Sequence, residues 1–321
     1  MERSELIKNV REVLANAGFY VSDLCSIRLP GFDLVARRDN SLLIVKVLTN
    51  IDALDERVAQ ELQTLASLLK GSPLLVGDKT GFGNLEDNVV YDRFGVRTVT
   101  LTTLRDYLLE GIPIIAYAAP GGLYVNIDER KLQILRQEHG ISLGTFARFV
   151  RVSRKTAQLY EKGMNARIDI ASRIEELLDD SIAVPIDIFS SPKLKEESKT
   201  SYSQEKDPIK EFQREIFALI ERLGYRVIPL GRSPFEAVSK QKDKIVLTCV
   251  DTYDEKLLRK AQFMSSISKI TEKYAVVFTD KETKKTNVEG TALIRKKELK
   301  KIRGPEEIIE LIIERVEDTE E

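Results

Sequence analysis

The chain has 321 residues, 42% of them hydrophobic and 31% charged, and its formal net charge is −1. These values are typical of a soluble globular protein with two or three domains. They exclude a chain that is basic throughout, so any surface that binds nucleic acid has to be local. His139 is the only histidine, which argues against a histidine-rich metal site and against a Ser-His-Asp triad.

The N-terminus and the cysteines indicate the compartment. MERSELIKNV is charged and helix-like, unlike a signal peptide, and no apolar run approaches the ~20 residues of a membrane span. Cys25 and Cys249 lie far apart beside apolar segments and form no CxxC motif, which favours reduced, buried thiols. We therefore expect a cytoplasmic protein.

Residues 1–117 carry the pattern of a small α/β domain. An apolar stripe over 4–17 predicts a helix that ends at Gly18. The strand-like runs FYVSDL, FDLVA and SLLIVKVL follow, and the turn signal Asp39-Asn40 joins the last two as a hairpin. A second helical stripe covers 53–70. SPLLVG and RTVTLT then predict strands, and TLRDYLLEG predicts a closing helix.

The next segment changes character. YAAPGGLYVNID has the composition of a junction, and residues 129–178 are helical throughout. FSSPKLKEESKTSYSQEKDP holds almost no large apolar residues and is rich in Ser, Lys and Glu. We therefore predict an all-α domain over 118–188 and a flexible linker over 189–208.

Residues 209–321 repeat the first pattern and predict a second small α/β domain. IKEFQREIFALIERLGYRV has the layout of SELIKNVREVLANAGFYV, an amphipathic helix followed by Gly, an aromatic residue and Val. PFEAVSKQKDKIVLTCV then follows GFDLVARRDNSLLIVKV, with Glu236 opposite Asp33 and Cys249 opposite Lys46. This agreement predicts a divergent duplication of one module. The alternative is that small α/β units share such patterns by chance.

The helical segment contains two short helices joined by a tight turn. Ser142 and Ser153 are suitable N-caps, and Gly140 and Gly163 are suitable helix ends. A short helix, a tight turn and a second short helix allow the second helix to enter the major groove of DNA. The residues predicted to form the core are Ala147, Val150, Val152, Ala157 and Tyr160.

SLGTFARFVRVSRKTAQLYEKG resembles the helix-turn-helix of the lambda-repressor/Cro-type (XRE) regulators. The matching features are Ala147 in the first helix, Val152-Ser153 at the turn and the ending YEKG. The wider chain, with PGGLYVNID before the motif and RIEELLDD after it, resembles a group of archaeal proteins described as regulators of this class. The resemblance implies a lambda-repressor-like domain, double-stranded DNA as partner and a role in transcription regulation.

Two positions depart from the XRE pattern. Arg151 stands where the family often has Gly or Asn, and a left-handed conformation there would cost ~1–2 kcal/mol. We therefore expect a slightly remodelled turn. Leu143 lies where many members have a Gln that contacts DNA, so that contact is expected to be absent.

The motif is basic although the whole chain is nearly neutral. Residues 148–167 hold six basic side chains and one acidic side chain. Arg and Lys suit guanine edges and phosphates, and Gln suits adenine. The predicted DNA-binding residues are Arg148, Ser153, Arg154, Lys155, Thr156, Gln158 and Lys162. The alternatives are a helical bundle with a solvated basic face and a version of this fold that binds protein.

GFDLVARRDNSLLIVKV also resembles the PD-(D/E)XK nuclease core, as in archaeal junction resolvases. In that family an Asp and a second acid hold Mg²⁺, and a Lys two residues after the second acid assists the attacking water. Asp33 and Lys46 match, but Ile44 occupies the position of the second acid. In the second copy Glu236 matches the Asp, whereas Leu247 and Cys249 replace the acid and the Lys.

Three interpretations of these modules remain open. An active nuclease would need a ligand from elsewhere, such as Glu61. An inactive nuclease-like module could contact the DNA backbone or mediate dimerisation. A chance α/β hairpin would use Asp33 and Lys46 as a structural ion pair. A further basic run, RKKELKKIR over 295–303, could contact phosphates or form a solvated surface.

The sequence thus predicts a multidomain protein with a restriction-endonuclease-like α/β domain, an all-α helix-turn-helix domain and a second α/β domain. We expect a homodimeric, sequence-specific transcriptional regulator without a cofactor, a metal site or enzymatic activity. The alternative is a Mg²⁺-dependent DNA-processing nuclease that the helix-turn-helix targets to DNA.

Overall fold

The computed structural model describes residues 2–24, 31–190, 208–281 and 283–317. Cys25 and most of the predicted linker lie outside these residues. In chain order the first elements are α1 (Arg3–Asn16), β1 (Tyr20–Val21), β2 (Leu34–Arg38), β3 (Ser41–Asn50), α2 (Glu56–Leu69), β4 (Ser72–Thr80), β5 (Gly83–Asn84), β6 (Val89–Arg93), β7 (Val96–Val99), α3 (Leu101–Arg105), β8 (Ala116–Ala119), β9 (Gly122–Val125), α4 (Glu129–Glu138), α5 (Leu143–Phe149), α6 (Arg154–Tyr160), β10 (Ala166–Arg167) and α7 (Ile168–Leu178). The later elements are α8 (Pro208–Arg222), β11 (Arg226–Pro229), β12 (Ala237–Gln241), β13 (Lys244–Val250), α9 (Glu255–Thr271), β14 (Tyr274–Thr279), β15 (Asn287–Val288), β16 (Thr291–Arg295), α10 (Lys296–Leu299) and α11 (Pro305–Glu317).

The chain divides into two compact units, each made of several chain segments. The first unit comprises Met1–Val13, Leu48–Ala53 and Leu75–Ser190, and the second comprises Leu14–Val47, Leu54–Leu74 and Ser191–Glu321. The boundaries predicted at 117, 188 and 208 therefore stay predictions. Within the described residues, no helix is both long and apolar enough to cross a bilayer.

The first unit holds the helical segment and the strands that precede it. Its strand order after β4 is β7-β6-β8-β9-β10, and β5 pairs with β4. β8 and β9 form a hairpin in which Ala119 faces Gly122, and Gly121 at the turn has a φ of +99°. The segment predicted as a junction, YAAPGGLYVNID, therefore forms a β-hairpin. Because β9 pairs with β10 after α6, the segment predicted to be all-α contains strands as well.

The second unit contains two β-hairpins with the same register. In the first, Leu34 pairs with Val45, and in the second, Ala237 pairs with Thr248, so 203 positions separate the corresponding residues of both strands. The turn after β2 is at Asp39, which has a φ of +51°. The hairpin predicted at Asp39-Asn40 is confirmed. The common register supports the predicted duplication.

The two hairpins also contact each other through corresponding residues. The rings of Phe32 and Phe235, which are 203 positions apart, lie 6.4 Å apart, and Phe263 of α9 lies 5.9 Å from Phe32. Phe32 and Phe235 are buried. A contact between equivalent residues is the arrangement found on a two-fold axis. The apolar contact therefore joins the two hairpins as an internal pair.

The C-terminal sheet has the order β11-β12-β13-β14-β16-β15, with β13, β14 and β16 parallel. Its core brings α8 and α11 onto the sheet through buried apolar residues that include Ile216, Phe278 and Ile309. Arg315 of α11 is buried and donates to Glu298 of α10 at 2.8 Å, and Arg295 donates to the same oxygen at 2.7 Å. These contacts tie both helices to the end of β16.

Because of the carboxylate of Glu298, we expect the stability of the fold to depend on pH. Hydrogen bonds from Arg295, and then from Arg315, lower the pKa of Glu298 from 4.5 to about 2. The unfolded chain therefore takes up a proton near pH 4.5, whereas the folded chain does so only near pH 2. The stabilisation that the ionised Glu298 contributes is complete above pH 4.5 and is lost as the pH falls from 4.5 to about 2. Glu298→Gln should unfold with a denaturation midpoint that changes less between neutral and acidic pH than the wild type does.

The matched control is Glu310→Gln, which changes an exposed glutamate of α11. It should keep the pH dependence of the wild type. An identical dependence for the wild type and Glu298→Gln would contradict the role assigned to this carboxylate.

Candidate nucleic-acid interface

Helices α5 and α6 pack closely around small and apolar side chains. Phe146 and Ala147 of α5, Val150 directly after it, and Ala157 and Tyr160 of α6 are buried in one cluster. Alanine at both contact positions lets the two backbones approach, since any larger side chain would hold them apart. The predicted core is confirmed, except that Val152 is half-buried beside the cluster.

Serine N-caps begin both helices. The hydroxyl of Ser142 accepts the amide of Thr145 at 3.1 Å, and that of Ser153 accepts the amide of Thr156 at 3.0 Å. Each cap satisfies an amide that would otherwise lack a partner in the first turn of the helix. The predicted caps are confirmed.

The turn between α5 and α6 holds Arg151 in the left-handed backbone conformation, which an arginine disfavours. Arg151 has a φ of +60°, its amide donates to Arg148, and the amide of Val152 donates to Ala147 at 2.9 Å. These are the two hydrogen bonds of a Schellman motif, in which the left-handed residue is usually Gly. The expectation of a remodelled turn was wrong, because these bonds hold the arginine in the strained conformation.

The exposed face of α6 forms one narrow stripe. At 100° per residue, Arg154, Gln158 and Lys155 fall within about 100° of the helix circumference, and Lys162 lies in the turn after the helix. All four side chains are exposed. Ala157 and Tyr160 project from the opposite side into the core. The apolar and the basic residues of α6 therefore form two separate faces, one buried and one exposed.

The acidic residue of this stretch is neutralised by a neighbouring helix. Arg136 of α4 donates to the carboxylate of Glu161 at 2.5 Å and to the carbonyl of Ile141 at 2.7 Å. Gln133 donates to the carbonyl of Glu161 as well. These contacts fix the end of α6 and leave the exposed charges of the helix positive.

The predicted DNA-binding residues fall into two groups. Arg148, Arg154, Lys155, Gln158 and Lys162 are exposed. Ser153 and Thr156 belong to the cap, and their hydroxyl oxygens lie 2.8 Å apart. One hydroxyl donates to the other in this pair, so the proton of the second one remains available for a phosphate. The sequence did not single out Phe149 and Leu159, which are exposed apolar side chains on these helices.

The nuclease-like hairpin of the first copy contains a buried ion pair. The ammonium of Lys46 lies 3.6 Å from the carboxylate of Asp33, and both side chains are buried. The same carboxylate accepts the amide of Val47 at 2.7 Å. Ile44, at the position of the second acid, is fully buried in β3. A branched alkyl side chain offers no oxygen to a metal ion.

Glu61, the candidate for a substitute ligand, has another role. Its carboxylate accepts the amide of Arg232 at 2.9 Å, and this residue precedes β12 of the second copy. Among the described residues, no group of three or more His, Cys, Asp or Glu side chains is placed to hold a metal ion. The hairpin thus offers the carboxylate of Asp33 but no carboxylate at the position of the second acid.

In the second copy, a lysine on helix α9 pairs with the carboxylate that corresponds to Asp33. Glu236 accepts the amide of Val250 at 2.8 Å, as Asp33 accepts that of Val47. Lys260 of α9 donates to Glu236 at 2.5 Å and to Asp251 at 2.7 Å. The sequence alignment of the two copies could not find this lysine, because it lies on a different element.

The buried charges of the second copy compensate each other. Burial disfavours the ammonium of Lys260, but its two carboxylate partners outweigh this effect and raise its pKa. Burial raises the pKa of the Cys249 thiol well above its ordinary value, so the thiol stays protonated. One ammonium therefore lies between two carboxylates in the interior of the second copy.

Comparison with known families supports both parts of this description. Residues 3–114 match the PD-(D/E)XK superfamily domain. Over its full length the chain is similar to archaeal proteins that carry the name "Putative HTH-type transcriptional regulatory protein". The relative from Methanosarcina barkeri is 42% identical over 327 residues and that from Methanosarcina mazei 41% over 327 residues, both covering 100% of each chain. The chain belongs to this archaeal family. A relative from Haloquadratum walsbyi is 38% identical over 98% of each chain.

The family name agrees with the coarse interpretation of the sequence, a regulator with a helix-turn-helix. No solved structure matches the chain. The PD-(D/E)XK match confirms the nuclease-like N-terminal module that was predicted from Asp33 and Lys46.

The strained turn between α5 and α6 yields a prediction. Arg151→Gly should raise the free energy of unfolding of the first unit by up to about 1 kcal/mol, because glycine adopts a positive φ without a steric penalty. Arg151→Ala is the matched control, since it removes the charge and keeps the strain. Chemical denaturation of both variants is the measurement. Equal stabilities of the Gly and Ala variants would contradict the strain at this position.

Proposed function

We propose that the protein is a sequence-specific transcriptional regulator of the XRE type that reads DNA with α6. The proposal depends on the exposed side chains of Arg154, Lys155 and Gln158 on a helix held by its opposite face, with Lys162 directly after it. Arginine and glutamine are the side chains that make paired hydrogen bonds to guanine and adenine in the major groove. The family name is consistent with this role.

The positions of the side chains suggest a division of tasks. Arg154 and Gln158 lie one helical turn apart on α6, where both can reach base edges from one groove. Arg148 lies on α5, which crosses the DNA backbone in this motif, so it contacts phosphates. Ser153 and Thr156 together add a phosphate contact at the start of α6.

Substitutions on α6 should separate base recognition from backbone contact. Arg154→Ala and Gln158→Ala should each lower the preference for the operator over unrelated DNA by about 1–3 kcal/mol, since each removes a base contact. Arg148→Ala should weaken binding to both DNAs by a similar factor. The measurement is the affinity for each duplex at several salt concentrations. Arg130→Ala, on the exposed surface of α4, is the control and should change neither affinity.

An unchanged operator preference in both α6 variants, with wild-type stability, would contradict the assignment of α6 as the reading helix. A loss that appears equally in Arg130→Ala would instead indicate general electrostatic attraction.

We further propose a homodimer. One helix-turn-helix covers only a small area of DNA, and dimers of such motifs reach useful affinity by binding two half-sites about one helical turn apart. The exposed apolar side chains Ile134, Phe149 and Leu159 leave apolar surface on the same unit.

We also propose that the protein lacks enzymatic activity. Asp33 is engaged by Lys46 and by an amide, Ile44 replaces the second acid, and Lys260 bridges the carboxylates of the second copy. The competing candidate is a Mg²⁺-dependent nuclease, which the PD-(D/E)XK match of residues 3–114 favours.

A cleavage assay distinguishes the two candidates. Plasmid and branched DNA incubated with the full-length protein and Mg²⁺ or Mn²⁺ should remain intact. If the DNA is cleaved, and if Asp33→Ala or Lys260→Met abolishes the cleavage, the protein is a nuclease and this part of the proposal is overturned. Cleavage that persisted equally in both variants would indicate a contaminating nuclease, which a second purification step would remove.

A further inference from the structure

A basic surface patch lies at the end of β16 in the C-terminal sheet, far along the chain from the helix-turn-helix. Two segments form it. The first is 283–286, and the second is 295–303, which includes α10. The carbonyl of Thr283 accepts from Arg295 at 3.0 Å, and the carbonyl of Thr286 accepts the amide of Leu293 at 2.8 Å. The sequence separates the segments, and the fold brings them together.

The exposed side chains of this patch are almost all cationic. α10 is a single helical turn, ~6 Å long, so the residues after it remain close to Arg295. The exposed basic residues of the patch are Lys284, Lys285, Lys297, Lys300, Lys301 and Arg303.

Three of the acids near the patch bind other partners, and a fourth, Asp280, follows β14 beside the end of β16 and is exposed. Glu298 binds Arg295 and Arg315, and Glu215 binds Lys296. The carboxylate of Glu307 accepts the amide of Arg303 at 2.9 Å. The six exposed basic side chains outnumber these four acids, so the patch keeps a net positive charge in a chain whose formal net charge is −1.

The chemistry of the patch favours a polyphosphate backbone as its partner. Lysine ammonium groups bind phosphates as point charges and do not read bases. Interfaces with proteins have an apolar core and are depleted in lysine. Among the described residues of 283–303, no large apolar side chain is exposed. A surface of this kind suits a polyanion rather than a folded protein.

We propose that this lysine patch of the C-terminal module is a second, sequence-independent contact with the DNA backbone. The inference rests on the proposed DNA-binding function and extends it to a surface outside the helix-turn-helix. The module would thereby add affinity and salt dependence, while α6 supplies the sequence preference.

Charge-removing variants test the patch. Lys284→Gln/Lys285→Gln and Lys300→Gln/Lys301→Gln each remove two charges, and the four changes can be combined. The matched control is Lys240→Gln/Lys242→Gln, in the last part of β12 and in the turn after it, three strands from β16. The probe is a labelled duplex of unrelated sequence, titrated with full-length protein at several salt concentrations.

The combined variant should bind this duplex at least about tenfold more weakly at ~0.1 M salt. The slope of log affinity against log salt should fall by about one for each lost phosphate contact. The control should keep both values. An unchanged affinity and slope in the combined variant would overturn the inference, with thermal unfolding showing that all variants are folded.

The outcome also separates this inference from the proposed function. If the wild type binds neither operator nor unrelated duplex, the proposed function fails and the patch with it. If the wild type binds, Arg154→Ala loses the operator preference and the patch variant is unaffected, only the patch inference fails. Retained operator preference with weaker overall binding in the patch variant would support both.

Discussion

The packing of α5 against α6 is the interaction on which the proposed function depends. Ala147 and Ala157 allow the helices to meet closely, and Phe146 and Tyr160 fill the space around them. Because the buried side of α6 is fixed in this way, its basic side presents one set of side chains in one orientation. Arg136 holds the other end of the helix through Glu161. The geometry required to read a groove thus follows from apolar packing and one ion pair.

The N-terminal nuclease-like module and the matching C-terminal hairpin hold their carboxylates with lysines from different elements. In the first copy a lysine neutralises the remaining carboxylate, and an isoleucine fills the place of the second acid. In the second copy Cys249 replaces the strand lysine, and Lys260 reaches the same carboxylate from α9. A buried carboxylate without a cation would be costly, so loss of one lysine demands another. The contact between Phe32 and Phe235 pairs the copies within one chain.

Local signals made much of the fold and the interface predictable. The caps at Ser142 and Ser153, the helix end at Gly163 and the hairpin at Asp39 depend on a few neighbouring residues, and they occur as expected. Features that depend on distant residues were missed. Strands β9 and β10 are short and acquire their pairing only in the fold, Lys260 meets Glu236 from another element, and the lysine patch joins two segments. Arg151 shows a third case, in which hydrogen bonds of the turn override the preference of the residue.

The central claim is that α6 gives the protein a preferred DNA sequence. Selection of genomic DNA fragments by the full-length protein tests it most directly, with the Arg154→Ala/Gln158→Ala double variant in parallel. The account predicts that the wild type enriches fragments sharing one two-fold symmetric motif, with half-sites about one helical turn apart, and that the double variant does not. Enrichment without a shared motif, or the same motif from both proteins, would contradict it.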